Sequence, residues 1–231
     1  MKTRFAFETG SRKQHQAGFT LVEIAIVLVI IGLLLGGILK GQEMINQAKI
    51  KNLINDFNGI SAAMYSYQDR YRALPGDDLN AATRWAGAIA GNGNGQFTGT
   101  YNNILAAAPL AADETNLFWW HLRLSGFVPG QTASGPAAGQ QPNNAAGGLV
   151  GVETGTGAAS MGFTSNILCT SNLPDKIAIA IDAQMDDGVN NTGQVRGLLQ
   201  AAPNSSLRAL VAPGDTYAET GTNQYLLCKN L

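Results

Sequence analysis

At 231 residues and 45% hydrophobic content, the chain is long enough for one ordinary domain with a sizeable core. Only 13% of its residues are charged, against about a quarter in soluble proteins, and a net charge of -1 excludes a general nucleic-acid binder. Lys2, Arg4, Arg12 and Lys13 against Glu8 give residues 1–18 a net of +3, which leaves -4 for the rest of the chain. The two ends are therefore expected to face different compartments.

Residues 19–39 read FTLVEIAIVLVIIGLLLGGIL, a run of about 21 residues where a bilayer-spanning helix needs about 20. Basic residues precede it, so the N-terminus is expected in the cytoplasm and the C-terminal part across the membrane. A secretory signal has an apolar core of about 7–15 residues and an A-x-A-like cleavage site. This run is longer, and Lys40-Gly41-Gln42-Glu43 follows without such a site, so the apolar segment is expected to be retained. Glu23 lies inside it. A carboxylate there is costly and needs a partner or a task; the plainer alternative is an interfacial glutamate reaching toward head groups.

Ala17-Gly18-Phe19-Thr20-Leu21-Val22-Glu23 resembles the prepilin-type cleavage and methylation signature of type IV pilins and type II secretion pseudopilins. The resemblance implies that a membrane-embedded prepilin peptidase cuts between Gly18 and Phe19 on the cytoplasmic side and methylates the new Phe19 amine. It also implies that Glu23 faces a neighbouring subunit's N-terminal amine, the partner that a buried carboxylate requires. The likeness is specific over residues 13–40 and looser to residue 75. Two departures favour a minor pilin or pseudopilin over a major pilin: the 18-residue leader exceeds the shortest in the family, and Lys40 stands where many major pilins carry proline. Gly36-Gly37 can supply local helix flexibility instead.

Beyond Lys40, residues Ile50, Leu53, Ile54, Phe57, Ile60, Met64, Tyr67 and Tyr71 recur at three- and four-residue spacing, one apolar stripe on a helix. The membrane helix is expected to continue to Tyr71 and stop at Leu74-Pro75-Gly76-Asp77. Such a rod would be about 75 Å long, with a membrane half and an amphipathic half that a head must cover. Tyr71-Arg72-Ala73-Leu74-Pro75 also resembles the helix end of pilins and pseudopilins.

In the head, Asp77 or Asp78 can cap a short helix containing Ala81, Ala82 and Trp85, and residues 91–103 form a Gly/Asn turn region. Asp113 can cap a helix from Glu114 to Ser125, with Gly126 as its stop; Leu117, Phe118, Trp119, Trp120, Leu122 and Leu124 are expected to pack onto the long helix. Residues 129–162 read as a surface loop with a short strand at Gly148–Val152. Pro174 to Asp187 fits a strand or a helix, and Pro174 and Gly188 favour the helix. Val195–Gln200, Leu207–Ala212 and Gln224–Cys228 are candidate strands of an antiparallel sheet.

Cys169 and Cys228 are the two cysteines, and His15 and His121, the two histidines, lie far from both in sequence; this excludes a clustered zinc set. If the head is outside the cytoplasm the cysteines are expected to form a disulfide, the alternative being two buried thiols. That closure is worth about 4 kcal/mol by chain entropy. His121 sits in an apolar run with no Gly-x-Ser-x-Gly elbow, and the acid pairs Asp77-Asp78 and Asp186-Asp187 have no recognisable pocket. Neither points to an enzyme. Weak calcium candidates are Asn92 and Asn94, in a half-loop lacking carboxylates, and Asp182, Asp186 and Asp187 beside Gly188; otherwise no cofactor is indicated. There is no nucleotide-binding loop, so energy for assembly must come from a partner.

Together these readings predict an α+β, pilin-like fold: leader 1–18, transmembrane segment 19–39, amphipathic continuation 40–74 and a periplasmic or extracellular head 75–231. The implied function is a structural subunit of a type IV pilus or type II secretion pseudopilus, anchored in the bacterial inner membrane. Its implied partners are prepilin peptidase, other pilin or pseudopilin subunits through the N-terminal helix, and an inner-membrane assembly platform with a cytoplasmic ATPase. An anchored periplasmic binding module that does not polymerise, and an anchored enzyme, are the rival readings.

Overall fold

The structure is a computed structural model and describes residues 18, 20–210 and 215–231. Helix α1 spans Leu21–Tyr71, and the described residues divide into two units, one up to residue 45 and one from residue 46 onward. In the first unit the large apolar side chains from Leu21 to Leu39 are all exposed, from 46% for Ile31 to 86% for Leu21. So wide an apolar surface is not one that water tolerates; it calls for lipid or other chains.

In the second unit, Ile50, Leu53, Phe57, Met64 and Tyr67 of α1 are buried, with Ile54, Ile60 and Tyr71 partly so. These are the stripe positions, spaced to fall on one helix face. The remaining elements are α2 (Ala81–Arg84), α3 (Glu114–Leu124), β1 (Val150–Thr154), β2 (Asn166–Pro174), α4 (Asp175–Met185), β3 (Val195–Leu199) and β4 (Gln224–Asn230). The strands form one antiparallel sheet in the order β1-β2-β4-β3. Successive strand residues point to opposite faces, and both faces are covered. Leu168, Val195, Tyr225 and Leu227 join the α1 stripe with Phe118, Trp119 and Leu122 of α3 and Ile177 and Ile181 of α4. Ile167, Cys169, Leu198, Leu226 and Cys228 instead meet Tyr101, Met161 and Phe163. This is an α+β, pilin-like architecture.

Several local expectations change. The segment 129–162 is no simple surface loop: Ala138, Gln141, Asn144, Leu149, Val150, Val152 and Met161 are buried. Gln141 Nε2 donates to the Tyr101 and Asn103 carbonyls at 3.0 and 2.7 Å, so side-chain amides fasten a chain that has few large apolar groups. Its strand runs two residues further along than Gly148–Val152. Strand β2, central in the sheet, covers a stretch for which the pattern predicts no element. Leu207–Leu210 is irregular rather than a strand, and Val211 and Ala212 lie outside the described residues. Asp77 and Asp78 do not cap α2, whose N-cap position is Asn80. Asp113 occupies the N-cap of α3, but its carboxylate accepts from Leu110 N at 2.9 Å, in the preceding loop.

Candidate functional site

The N-terminal site begins where the helix begins. Gly18 is described and exposed; Phe19 and residues 1–17 lie outside the described residues. Thr20 precedes α1 and Glu23 occupies its first turn. Thr20 N and Oγ1 donate to Glu23 Oε2 at 2.8 and 2.9 Å, and Glu23 N donates to Thr20 Oγ1 at 3.2 Å. That reciprocal pair is a capping box, which satisfies helix-end amides that would otherwise lack acceptors. Within the single subunit, then, Glu23 is not a carboxylate without partners, as its place in an apolar run suggests. Its carboxylate reaches back over the Thr20 backbone, and Thr20 and Glu23 both remain exposed, open to a group from another chain. The signal for this was in the sequence: Thr-x-x-Glu ahead of an apolar run. Among the described residues α1 is the one helix long and apolar enough to cross a membrane, and none of its most apolar stretch is buried.

In the head, the chain leaving α1 is held by polar side chains. Tyr67 Oη donates to Asp78 Oδ2 at 2.7 Å, Asn80 N donates to Oδ1 at 2.8 Å, and the Arg84 guanidinium also pairs with this carboxylate. Burial pushes the Asp78 carboxyl up, but these three donors together outweigh it and hold it below the usual carboxylate range. Burial, then the neighbouring Asp78, pushes the Tyr67 phenol up. His121 is fully buried. Its Nδ1 accepts from Gly76 N at 2.9 Å and its Nε2 lies 2.8 Å from the Ile89 carbonyl, so the neutral ring carries its proton on Nε2. Burial holds its pKa below the ordinary value. A ring with both nitrogens committed to backbone is a brace rather than a catalytic base.

The calcium candidates part company. Asp182, Asp186 and Asp187 bring three carboxylate oxygens within 4.8 Å of one another. Six donors already serve them: Tyr217 Oη and Gly188 N on Asp182, Gln194 N and Val195 N on Asp186, Thr192 Oγ1 and Val189 N on Asp187. Asn92 and Asn94 belong to a different loop. Their side-chain oxygens accept from Asn94 N at 3.0 Å and Gln96 N at 2.8 Å, closing local turns. Cys169 and Cys228 face each other across β2 and β4 and form a buried disulfide with Cα atoms 4.0 Å apart. Of the residues singled out from sequence, the structure brings together the two cysteines and the three aspartates. The Tyr67–Asp78–Arg84 network was missed, because no local pattern links residues 11 and 6 positions apart on separate elements.

No curated protein and no solved structure matches this chain. Residues 13–39 match the prokaryotic N-terminal methylation motif, and the chain therefore carries the prepilin-type signature of type IV pilins and pseudopilins.

Proposed function

We propose that the chain is the precursor of a type IV pilin-like structural subunit, cut after Gly18 by prepilin peptidase and N-methylated at Phe19. Residues 19–39 hold it in the bacterial inner membrane, residues 40–74 continue the helix, and the head 75–231 lies outside the cytoplasm. A platform with a cytoplasmic ATPase then draws it into a pilus or a type II secretion pseudopilus. Packing between apolar halves of neighbouring helices forms the filament core, and heterologous contacts of this kind repeat without closure. The observation that carries the reading is Glu23 in the first turn of an apolar, uncovered helix, within the methylation motif at residues 13–39. Lys40 in place of proline and the 18-residue leader support a minor pilin or pseudopilin over a major pilin.

The test is mass spectrometry of the mature N-terminus from membrane fractions, with and without co-expressed prepilin peptidase. An N-methylated Phe19 that depends on the peptidase is expected; an intact Met1 start beside active peptidase would overturn the reading. Calcium at Asp182, Asp186 and Asp187 is an accompanying proposal, supported by their three converging oxygens. It expects a higher melting temperature in calcium than in chelator, a difference that Asp187→Asn diminishes; equal melting in both would refute it.

A further inference from the structure

The loop 91–98 contains two Asn-Gly pairs, Asn92–Gly93 and Asn94–Gly95, and all four residues are exposed. In such a pair the glycine nitrogen attacks the asparagine Cγ. A C–N bond forms, the amide nitrogen leaves as ammonia with the glycine proton, and water then opens the cyclic imide to aspartate or isoaspartate. Glycine offers no Cβ to obstruct the attack, and water has free access here. Burial therefore does not protect these sites.

We propose that Asn92 and Asn94 are latent deamidation sites kept intact by the carboxylate of Asp77. Both attacking nitrogens are held by that one side chain: Gly93 N donates to Asp77 Oδ1 at 2.5 Å and Gly95 N to Oδ2 at 2.6 Å. Asn94 N adds a third bond at 3.1 Å. Attack requires the glycine N–H to lose its proton, and an adjacent carboxylate opposes this twice over. It accepts the hydrogen bond that must break, and its charge disfavours a second negative charge beside it. Asp77 is itself only 5% exposed. The side-chain amides are tethered as well, through the Asn92 and Asn94 turns. Glu114 fixes the loop's two ends without touching either glycine, accepting from Asn92 N and Thr98 N at 2.9 Å each. The geometry that turns the loop's backbone amides inward onto Asp77 is the one that shields these residues.

The experiment follows the tryptic peptide 85–123 from the full-length chain in detergent, incubated at mildly alkaline pH, reading amide-to-acid conversion and isoaspartate by mass spectrometry. Conversion at Asn92 and Asn94 is expected to be severalfold faster in Asp77→Asn, and in the wild type unfolded by guanidinium, than in the folded wild type. Glu114→Gln, which keeps both glycine bonds, is expected to stay near the wild-type rate. Conversion in the folded wild type as fast as in the unfolded chain overturns the proposal, as does Glu114→Gln matching Asp77→Asn. Hydrogen exchange in the wild type tests it independently of whether Asp77→Asn folds. Slow exchange at Gly93 and Gly95 despite their exposure supports the shield, and exchange at the rate of unstructured amides refutes it.

Discussion

Glu23 sits three residues after Thr20, close enough for its carboxylate to accept from both the backbone and the hydroxyl of that residue. The unassembled subunit thus supplies provisional partners for a charge in an apolar stretch, which lowers the cost of holding it there. Under the proposed function, this charge meets a group from a neighbour in the filament. Glu23→Ala is expected to insert and be cleaved normally but to enter filaments about tenfold less or worse, the scale of losing one charged partner. Counting the variant's copies in purified filaments measures this, and wild-type incorporation would exclude the pairing. His121 makes a second prediction, in pH. Its folded pKa lies below the unfolded value of about 6.5, so between the two the unfolded chain binds more protons and stability rises with pH. The stability is present above 6.5 and is lost as pH falls through that window toward the folded pKa, by at most about 1.4 kcal/mol per pH unit. Protonated Nδ1 can no longer accept from Gly76 N. Melting at a series of pH values should show a smaller acid loss in His121→Gln than in the wild type; parallel curves would contradict the brace.

Among elements, the turn after α1 is tightly constrained. Arg72 and Gly76 both have positive φ, 55° and 90°, and a Cβ on Gly76 would lie 2.5 Å from the Glu114 carbonyl oxygen and 2.9 Å from Phe118 N. Backbone, not a yielding side chain, occupies that space, so Gly76→Ala is expected to cost more than about 2 kcal/mol. Denaturant unfolding followed by the fluorescence of buried Trp119 and Trp120 reads it; a loss under about 0.5 kcal/mol, the ordinary range for a benign surface change, would show that the turn can move. Helices α1 and α3 and strands β3 and β4 were legible because each carries its own apolar pattern, and α4, whose pattern fits strand or helix alike, because Pro174 and Gly188 bracket it. Strand β2 was not. Thr170, Ser171 and Asn172 interrupt its pattern, yet the first two are buried with partners on other segments: Thr170 accepts from Asn144, and Ser171 pairs with Leu149 and Asn204. A polar residue in a core strand is readable only once its partner is known.

At the scale of the whole molecule, the disulfide ties the central strand to the last one across 59 residues of sequence. Between these ends lies the 24-residue connection from β3 to β4, hung on α4 by carboxylates. Asp175 Oδ2 accepts from Thr220 N and Gly221 N at 2.7 and 2.6 Å, and Tyr217 Oη donates to Asp182 at 2.5 Å. Replacing Cys169 and Cys228 by serine together is expected to lower stability by about 2–5 kcal/mol, seen as a lower denaturant midpoint. Because both sulfurs are buried, mild reductant added to the folded wild type should leave the midpoint unchanged, whereas reductant added to the unfolded chain should lower it. A fall in both cases would show that the bond is accessible.

The basic first residues, the length of the apolar run, the Gly-Phe junction and Glu23 at its spacing are local features, legible without a fold because lipid and a processing enzyme read a linear segment. So too is the amphipathic stripe of α1, whose period is a property of the helix itself. Only the tertiary structure decided what the polar residues of the head do. Whether Asp77 caps a helix, acts in an acid pair or receives loop amides depends on residues 16 to 18 positions away, and no spacing rule relates them. Apolar residues declare their destination by pattern, since any apolar neighbour satisfies them. A buried carboxylate, imidazole or amide needs a particular donor at a particular distance, and the path of the chain alone provides it.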